Sequence, residues 1–159
     1  EIACILIEPI QAEGGDRHFR PEFHQELRRL ADENEALLIY DEVQTGVGLS
    51  GKFWCHEHYV QPDIIAFGKK AQVCGILAGR RIEDIDTHVF AVSSRINSTW
   101  GGNLVDMVRF KRILEVIEED NIVDHVASMG ELLLEKIQGM TQNHEFISNP
   151  RGVVRLRDE

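Results

Sequence analysis

The stretch ALLIYDEVQTG, residues 36–46, passes from an apolar run into a polar loop at Asp41. An apolar run without helical periodicity predicts a buried strand, so Asp41 stands where that strand should end. Two other runs have the same form, because IACILI leads into Glu8 and DIIAFG leads into Lys69. Open parallel sheets bind ligands beyond the carboxyl ends of their strands. We therefore expect two acids and an amine to converge on one crevice, as in an active site.

The segment between the first two strands has the periodicity of a helix. Apolar residues recur at helical spacing among charges from Pro21, a tolerated first-turn residue, to about Asn34. The order strand, helix, strand is that of a right-handed crossover unit, so the predicted fold class is α/β. The same patterns predict strands at 64–67, 76–78 and 89–92, a short helix at 53–59, a helix at 104–117 capped by Asn103, and a helix at 122–137.

The composition argues against several kinds of partner. A length of 159 residues is enough for one core, with 43% hydrophobic and 28% charged residues. A net charge of −10 disfavours nucleic acid and anionic membranes, and no apolar stretch approaches the length of a membrane span. The three scattered cysteines indicate reduced thiols, so we expect a cytoplasmic protein.

Two motifs connect the strand ends to a known family. YDEVQTG at 40–46 and PDIIAFGKK at 62–70 together resemble the class-III (omega) aminotransferases, which use pyridoxal 5'-phosphate. FGKKAQVCG followed by AVSSRINSTWGGN most resembles the L-lysine 6-aminotransferases within that family. The resemblance implies a large domain of the aspartate-aminotransferase type (fold type I), a homodimer, and transfer of the terminal amino group of L-lysine to 2-oxoglutarate. Ornithine, 4-aminobutyrate and acetylornithine aminotransferases share the same acids and lysine and remain alternatives.

The resemblance also implies that the chain is a fragment of a longer protein. Residues 1–145 correspond to the central part of the large cofactor-binding domain, and residues 146–159 to the start of the C-terminal small domain. The family's phosphate loop and ring-stacking aromatic residue would precede these residues, and its carboxylate-binding arginine would follow them. We therefore expect the isolated chain to be inactive.

The strand-end residues have roles that follow partly from chemistry and partly from the resemblance. A carboxylate at the mouth of a buried strand needs a donor, so Asp41 either caps the next turn or, as in the family, keeps the cofactor's ring nitrogen protonated. A partly desolvated amine becomes nucleophilic, and the family pattern places the Schiff-base lysine at Lys69 rather than Lys70, which points to the opposite face if the strand persists. By the resemblance, Val43 packs on the cofactor ring and Gln44 donates towards its hydroxyl.

Two other segments are assigned by the resemblance alone. In EPIQAEGGD, Glu13 corresponds to a gate that pairs with a substrate-binding arginine in one half-reaction and releases it in the other. In NSTWGGN, Ser98 and Thr99 would reach the phosphate of the neighbouring subunit's cofactor, and Asn97 would lie near the substrate. The alternatives are a solvated loop glutamate and a simple helix-capping segment.

Three competing interpretations are weaker. GVGLSG at 46–51 matches the dinucleotide pattern G-x-G-x-x-G, but DEVQT separates it from the strand and no long helix follows. CHEH at 55–58 contains metal-ligating residue types without a second ligand set, so we predict no metal. The alternative in which the chain is not an enzyme is a catalytically silent fragment that only packs or dimerises.

Overall fold

The computed structural model describes residues 2–96 and 98–153, in which strands, α-helices and 3-10 turns alternate. The strands are β1 (Cys4–Ile7), β2 (Ile10–Gln11), β3 (Arg17–His18), β4 (Leu37–Asp41), β5 (Ile64–Phe67) and β6 (Gly75–Ala78). The α-helices are α1 (Pro21–Glu33), α2 (Leu104–Glu119) and α3 (Ile122–Thr141), and 3-10 turns cover Cys55–His58, Lys69–Ala71 and Arg80–Asp84. Within the described ranges, every helix is too short or too polar to serve as a membrane span.

β1, β4 and β5 lie side by side and run parallel in a four-stranded sheet of order β1-β4-β5-β6. Ile7 pairs with Tyr40, and Asp41 pairs with Ala66, so the three carboxyl ends fall along one edge of the sheet. β6 joins this sheet antiparallel to β5. The α/β class and the convergence of the three strand ends, both predicted from the sequence, are confirmed.

α1 connects β1 with β4 and packs on the sheet. Pro21 lies in its first turn, where the missing N–H costs no helical hydrogen bond. The apolar side of the helix packs against β4, and Ala31, Leu38 and Tyr40 form a fully buried core. This core fixes β4, and with it the position of Asp41 at the strand end.

His24 brings a polar group into this core. Its Nδ1 atom lies 2.6 Å from the Tyr40 hydroxyl, and its ring stacks on Tyr59 with the ring centroids 4.0 Å apart. Burial lowers the pKa of His24 to about 4, so its ring stays neutral at physiological pH. Burial likewise raises the pKa of Tyr59 to about 12. The three side chains therefore form a neutral part of the core, in which His24 is hydrogen-bonded to Tyr40 and stacked on Tyr59.

An ion-pair network joins α1 to the start of β5. Asp63 Oδ2 accepts hydrogen bonds from the Arg28 guanidinium at 2.9 Å and from the Leu38 amide at 2.8 Å. Arg28 also donates to Asp32 at 2.6 Å, and Arg81 donates to Asp32 at 2.7 Å. α1, β4 and β5 are therefore joined by charge-assisted hydrogen bonds as well as by the apolar core.

Two predictions of secondary structure differ from the structure, and one hairpin has no predicted counterpart. The predicted strand at 89–92 is wrong, because the Ala91 and Val92 amides donate to the His88 carbonyl in a turn. The predicted helix at 53–59 is only the 3-10 turn Cys55–His58. The hairpin of β2 and β3 was not expected, since each strand has only 2 residues and lies in a polar, glycine-containing segment. The other predicted helices and strands agree with the structure to within a few residues at their ends.

Candidate active site

Asp41 ends β4 and directs its carboxylate towards the loop that follows. Its Oδ1 atom accepts a hydrogen bond from the Val43 amide at 3.0 Å, as expected of a turn cap. Within residues 2–96 and 98–153, Oδ2 has no hydrogen-bond partner, and the residue is half-buried. A half-buried carboxylate oxygen favours a cationic or N–H donor. The two interpretations of Asp41 are therefore compatible, because one oxygen caps the turn and the other can accept from a ligand.

Lys69 follows β5 after Gly68, at a point where the backbone leaves the extended conformation. Its φ angle is 49°, in the left-handed region that non-glycine residues seldom adopt, and it opens a 3-10 turn. Its Nζ atom donates to the side-chain oxygen of Gln44. The lysine after β5 and the glutamine of DEVQ, predicted to face a common ligand, therefore meet directly.

Lys70 reaches the same glutamine. Its Nζ atom donates to the Gln44 main-chain carbonyl at 2.6 Å, and Lys70 is half-buried whereas Lys69 is exposed. Burial, and to a smaller extent the Lys69 ammonium, lowers the pKa of Lys70. The strand does not persist through the lysines, so the condition under which they would point to opposite faces is not met: β5 ends at Phe67, and the following 3-10 turn brings both amines to Gln44.

Glu42 is a buried acid for which the sequence motifs indicate no role. Its fully buried carboxylate accepts hydrogen bonds from the Cys55 amide at 2.5 Å and the His56 amide at 2.9 Å. His56 Nδ1 lies 2.9 Å from Glu42 Oε1. A buried carboxylate without donors is costly, and these contacts satisfy it. They join the end of β4 to the Cys55–His58 turn and so close the loop that carries Val43 and Gln44.

The CHEH segment has a structural role in this fold. His56 faces Glu42, and His58 Nε2 lies 3.0 Å from the Ser50 carbonyl oxygen. Cys55 is fully buried, and burial raises the pKa of its thiol to about 12, which keeps it protonated and makes it a poor metal ligand. Among the residues that the structure describes, no group of three or more His, Cys, Asp or Glu side chains is arranged to hold a metal ion.

Close packing places Val43 against the backbone that leads into Lys69. A Cβ atom added at Gly68 would lie 3.0 Å from Cys74 Sγ and 3.5 Å from a Val43 methyl carbon. Glycine at this position therefore allows Cys74 to approach the backbone before Lys69, and Val43 lies at ordinary van der Waals distance from the same point. The branched side chain predicted to lie on the cofactor ring is thus beside the lysine predicted to bind the cofactor.

The glycine-rich segment 46–51 packs against α3. Gly51 has a φ angle of 76°, and a Cβ atom there would lie 2.9 Å from the Cα atom of Ala127. In the described chain this segment forms turns that lead into the 3-10 turn Cys55–His58, without an intervening α-helix. A dinucleotide site needs a helix N-terminus directly after its glycine turn, so GVGLSG does not fit that function.

A cavity lies between the Glu13 loop and Gln44. Its volume is ≈ 200 Å³, and its lining includes Ile10, Ala12, Gln44 and Thr45. Glu13 itself is exposed, in the bend between β2 and β3, and forms no ion pair within the described ranges. The structure therefore brings the segment of Glu13 beside the DEVQ turn, while the role of its carboxylate as a gate stays a prediction.

The NSTWGGN segment leads into α2. Ser98 and Thr99 are exposed in the turns before this helix. Asn103 Oδ1 accepts a hydrogen bond from the Val105 amide at 3.0 Å, which confirms Asn103 as the predicted helix cap. Asn97, predicted to lie near the substrate, is outside the described residues. The roles of Ser98 and Thr99 towards a neighbouring subunit also stay predictions.

The α/β sheet, with an acid and an amine at the carboxyl ends of adjacent parallel strands, has a counterpart in a known family. Residues 1–155 match the family model described as Aminotransferase class-III, and the chain belongs to this family. Its architecture is accordingly that of the large domain of fold type I aminotransferases.

Individual relatives are similar over almost the whole chain. L-lysine-epsilon aminotransferase of Mycobacterium tuberculosis is 54% identical over 154 residues, which are 96% of this chain and 34% of that protein. 4-Aminobutyrate aminotransferase of Emericella nidulans is 37% identical over 155 residues, 95% of this chain and 30% of that protein. The solved structure of lysine aminotransferase from M. tuberculosis in the internal aldimine form matches with a TM-score of 0.90 at 53% identity, covering 94% of this chain and 35% of that one. The chain thus spans about a third of the length of these relatives.

Proposed function

We propose that this chain contributes part of the active site of a pyridoxal-phosphate-dependent L-lysine 6-aminotransferase. The reaction moves the terminal amino group of L-lysine to 2-oxoglutarate and gives glutamate and the lysine-derived semialdehyde. The observation that carries the proposal is the placement of Asp41 at the carboxyl end of β4 and of Lys69 just beyond the carboxyl end of the adjacent parallel strand β5, with the Gln44 side chain hydrogen-bonded to the lysine.

The residues at this edge fit the cofactor in their chemistry. Lys69 offers an exposed primary amine that can condense with an aldehyde. Asp41 Oδ2, which has no protein partner within the described ranges, can accept from a protonated ring nitrogen. Gln44 supplies an amide that can donate to a ring hydroxyl, and Val43 supplies an apolar surface beside Gly68.

Each of these residues then has a separate task in the reaction. When bound, pyridoxal phosphate supplies an aldehyde for the amino group and a ring that withdraws electrons from the substrate carbon. Lys69 Nζ would hold the cofactor and would accept and return a proton as a general base. The negative charge of Asp41 would favour the protonated form of the ring nitrogen.

The remaining assignments concern substrate and subunit contacts. In this proposal Glu13 gates a substrate-binding arginine, Asn97 lies near the substrate, and Ser98 and Thr99 reach the cofactor phosphate of the neighbouring subunit in a homodimer. The cavity between the Glu13 loop and Gln44 supports the first of these, because it places that loop beside the proposed cofactor site.

Lysine is the amino donor that the comparisons favour. The relative named for lysine is 54% identical to this chain, against 37% for the relative named for 4-aminobutyrate. 4-Aminobutyrate, ornithine and acetylornithine are the alternative donors, because their aminotransferases share the acids and the lysine of the site.

We also propose a domain division and a cellular location. Residues 1–145 form the central part of the large domain, and residues 146–159 begin the small domain. The protein is cytoplasmic in this proposal, which the free cysteines at positions 4, 55 and 74 support, since oxidising compartments favour disulfides.

Borohydride reduction of the complete protein tests the function and the lysine assignment together. Reduction fixes the cofactor to the amine that binds it, and peptide mapping then locates the label. We expect the label on Lys69, its loss in Lys69→Ala, and its retention on Lys69 in Lys70→Ala. Turnover with lysine should exceed turnover with ornithine, acetylornithine or 4-aminobutyrate. An unlabelled protein contradicts the cofactor proposal, and a preference for another donor contradicts only the substrate.

A further inference from the structure

We propose that Lys70 is a positioning residue that tethers the main chain of Gln44, and with it the 41–44 turn, to the segment that carries Lys69. The inference rests on the proposed function of Lys69 and Gln44, which it deepens. It assigns a task to the second lysine of the KK pair, which the proposed chemistry leaves unused.

Gln44 is held by two successive lysines through two different groups. Lys70 Nζ donates to its main-chain carbonyl at 2.6 Å, and Lys69 Nζ donates to its side-chain oxygen. Within the described ranges no other donor reaches the Gln44 carbonyl. The position of this peptide group relative to the lysine turn therefore depends on Lys70.

The two lysines differ in a way that suits them to different tasks. Lys69 is exposed, and under the proposed function its amine must leave Gln44 to bind the cofactor. Lys70 is half-buried and can keep its bond to the carbonyl while Lys69 reacts. A hydrogen bond from an ammonium group is stronger than one from a neutral donor, which favours a lasting contact.

The backbone of the lysine turn explains why Lys70 reaches the loop at all. Lys69 adopts a left-handed φ of 49°, and the 3-10 turn Lys69–Ala71 follows at once. A strand continuing through Lys70 would send its side chain away from Lys69. The uncommon conformation of Lys69 therefore serves to direct both amines to Gln44.

Two variants and a matched control test the tether in the complete protein. Lys70→Met keeps the apolar stem and removes the donor, Lys70→Arg keeps a charged donor, and Lys136→Met makes the same change at an exposed lysine of α3. Amide hydrogen exchange is measured on the cofactor-free protein. In Lys70→Met we expect the peptide containing the Val43 and Gly46 amides to exchange at least about tenfold faster, with α3 unchanged.

Binding and kinetics provide the functional measurement. In Lys70→Met we expect the affinity for pyridoxal phosphate and kcat each to fall about tenfold or more, as for the loss of a hydrogen bond to a charged group. KM for the amino donor should change less than about threefold, because this proposal has Lys70 act on the Gln44 main chain and not on the substrate. Lys70→Arg should recover most of both losses, and Lys136→Met should behave as the parent protein.

The outcomes separate this inference from the proposed function. Unchanged exchange, affinity and kcat in Lys70→Met would overturn the tether, and so would equal losses in Lys70→Met and Lys70→Arg. A parent protein that binds no pyridoxal phosphate would overturn the proposed function instead. The exchange measurement would still decide the tether in that case, because it requires no cofactor.

Discussion

Glu42 and His56 form a buried carboxylate–imidazole pair directly behind the candidate site, with Glu42 Oε1 2.9 Å from His56 Nδ1. The same carboxylate accepts from the Cys55 and His56 amides, and Glu42 is fully buried. Its neighbours in sequence, Asp41 and Val43, belong to the proposed site. The geometry of the site therefore depends on an acid that takes no part in the chemistry.

We expect Glu42→Gln to destabilise the complete protein by about 2–3 kcal/mol, because an amide cannot accept from all three donors and leaves a buried group unsatisfied. Urea unfolding followed by circular dichroism measures the change. Glu145→Gln, which makes the same substitution at an exposed position, is the matched control. A loss of less than about 0.5 kcal/mol at Glu42 would show that water or another group replaces the lost contacts.

Asp41→Asn should impair catalysis far more than folding. Asparagine keeps the shape and the bond from the Val43 amide but loses the charge that favours a protonated ring nitrogen. We expect single-turnover rates at saturating cofactor to fall by more than about tenfold, equivalent to about 1.4 kcal/mol of transition-state stabilisation. A smaller effect would mean that Asp41 acts only as a turn cap.

Glu13→Ala should change the choice of substrate rather than the chemistry. If Glu13 screens an arginine, its removal lets α-amino, α-carboxylate substrates bind in an orientation that the parent protein avoids. Stopped-flow rates of the lysine and glutamate half-reactions should then change by different factors. Glu13→Gln separates the loss of charge from the loss of volume. The gate hypothesis fails if both half-reactions change by the same factor in both variants.

The buried His24 should make stability fall as the pH is lowered from 7 to 5. Its pKa is about 4 in the folded protein, below its ordinary value of 6.5, so the unfolded chain takes up the proton first. The stabilisation is therefore fully present above pH 6.5 and is lost progressively between pH 6.5 and 4. We expect a contribution of roughly 2 kcal/mol to the loss between pH 7 and 5, measured by urea unfolding.

His24→Gln should flatten the stability profile over the same interval. Since His58 also has a pKa lowered mainly by burial, a smaller pH dependence in the same direction should remain. A profile in His24→Gln as steep as that of the parent protein would assign the pH dependence to other groups.

The isolated 159-residue chain should bind pyridoxal phosphate weakly and show no aminotransferase activity. β1 is an edge strand whose Leu6 is 65% exposed, so an apolar face of the sheet lacks the cover that parallel sheets require. Titration of the purified chain with cofactor, followed by an assay with lysine and 2-oxoglutarate, measures both properties. Turnover comparable to that of the complete protein would show that the site needs no further segments.

The features of the fold and the site that depend on a local pattern of apolar residues could be predicted from the sequence. Asp41 and Lys69 could be predicted because an apolar run marks where each strand ends, and parallel strands bring their ends to one edge. The pairing of Glu42 with His56 could not, because the two residues are 14 apart and meet only through the fold. The contact of Lys70 with Gln44 was missed because it depends on the left-handed conformation of Lys69, which no residue type in FGKK indicates.

The wrong strand at 89–92 has a different cause. Its apolar residues satisfy the strand pattern, but strand formation also requires a neighbouring strand to accept its hydrogen bonds. In the structure the Ala91 and Val92 amides find a local acceptor at His88 instead. Periodicity alone therefore overestimates strands in segments between a completed sheet and the next helix.

The approach of Gly51 to α3 restricts how this part of the molecule can change through evolution. The atom nearest to an added Cβ at Gly51 is the Cα of Ala127, at 2.9 Å, with the Ala127 Cβ next at 3.0 Å. Shortening residue 127 to glycine would remove only the second of these clashes, and the φ angle of 76° would still disfavour any larger residue at position 51. A smaller residue at position 127 therefore cannot make room for a larger residue at position 51. Contact between two main chains therefore sets the distance between the loop after DEVQ and α3.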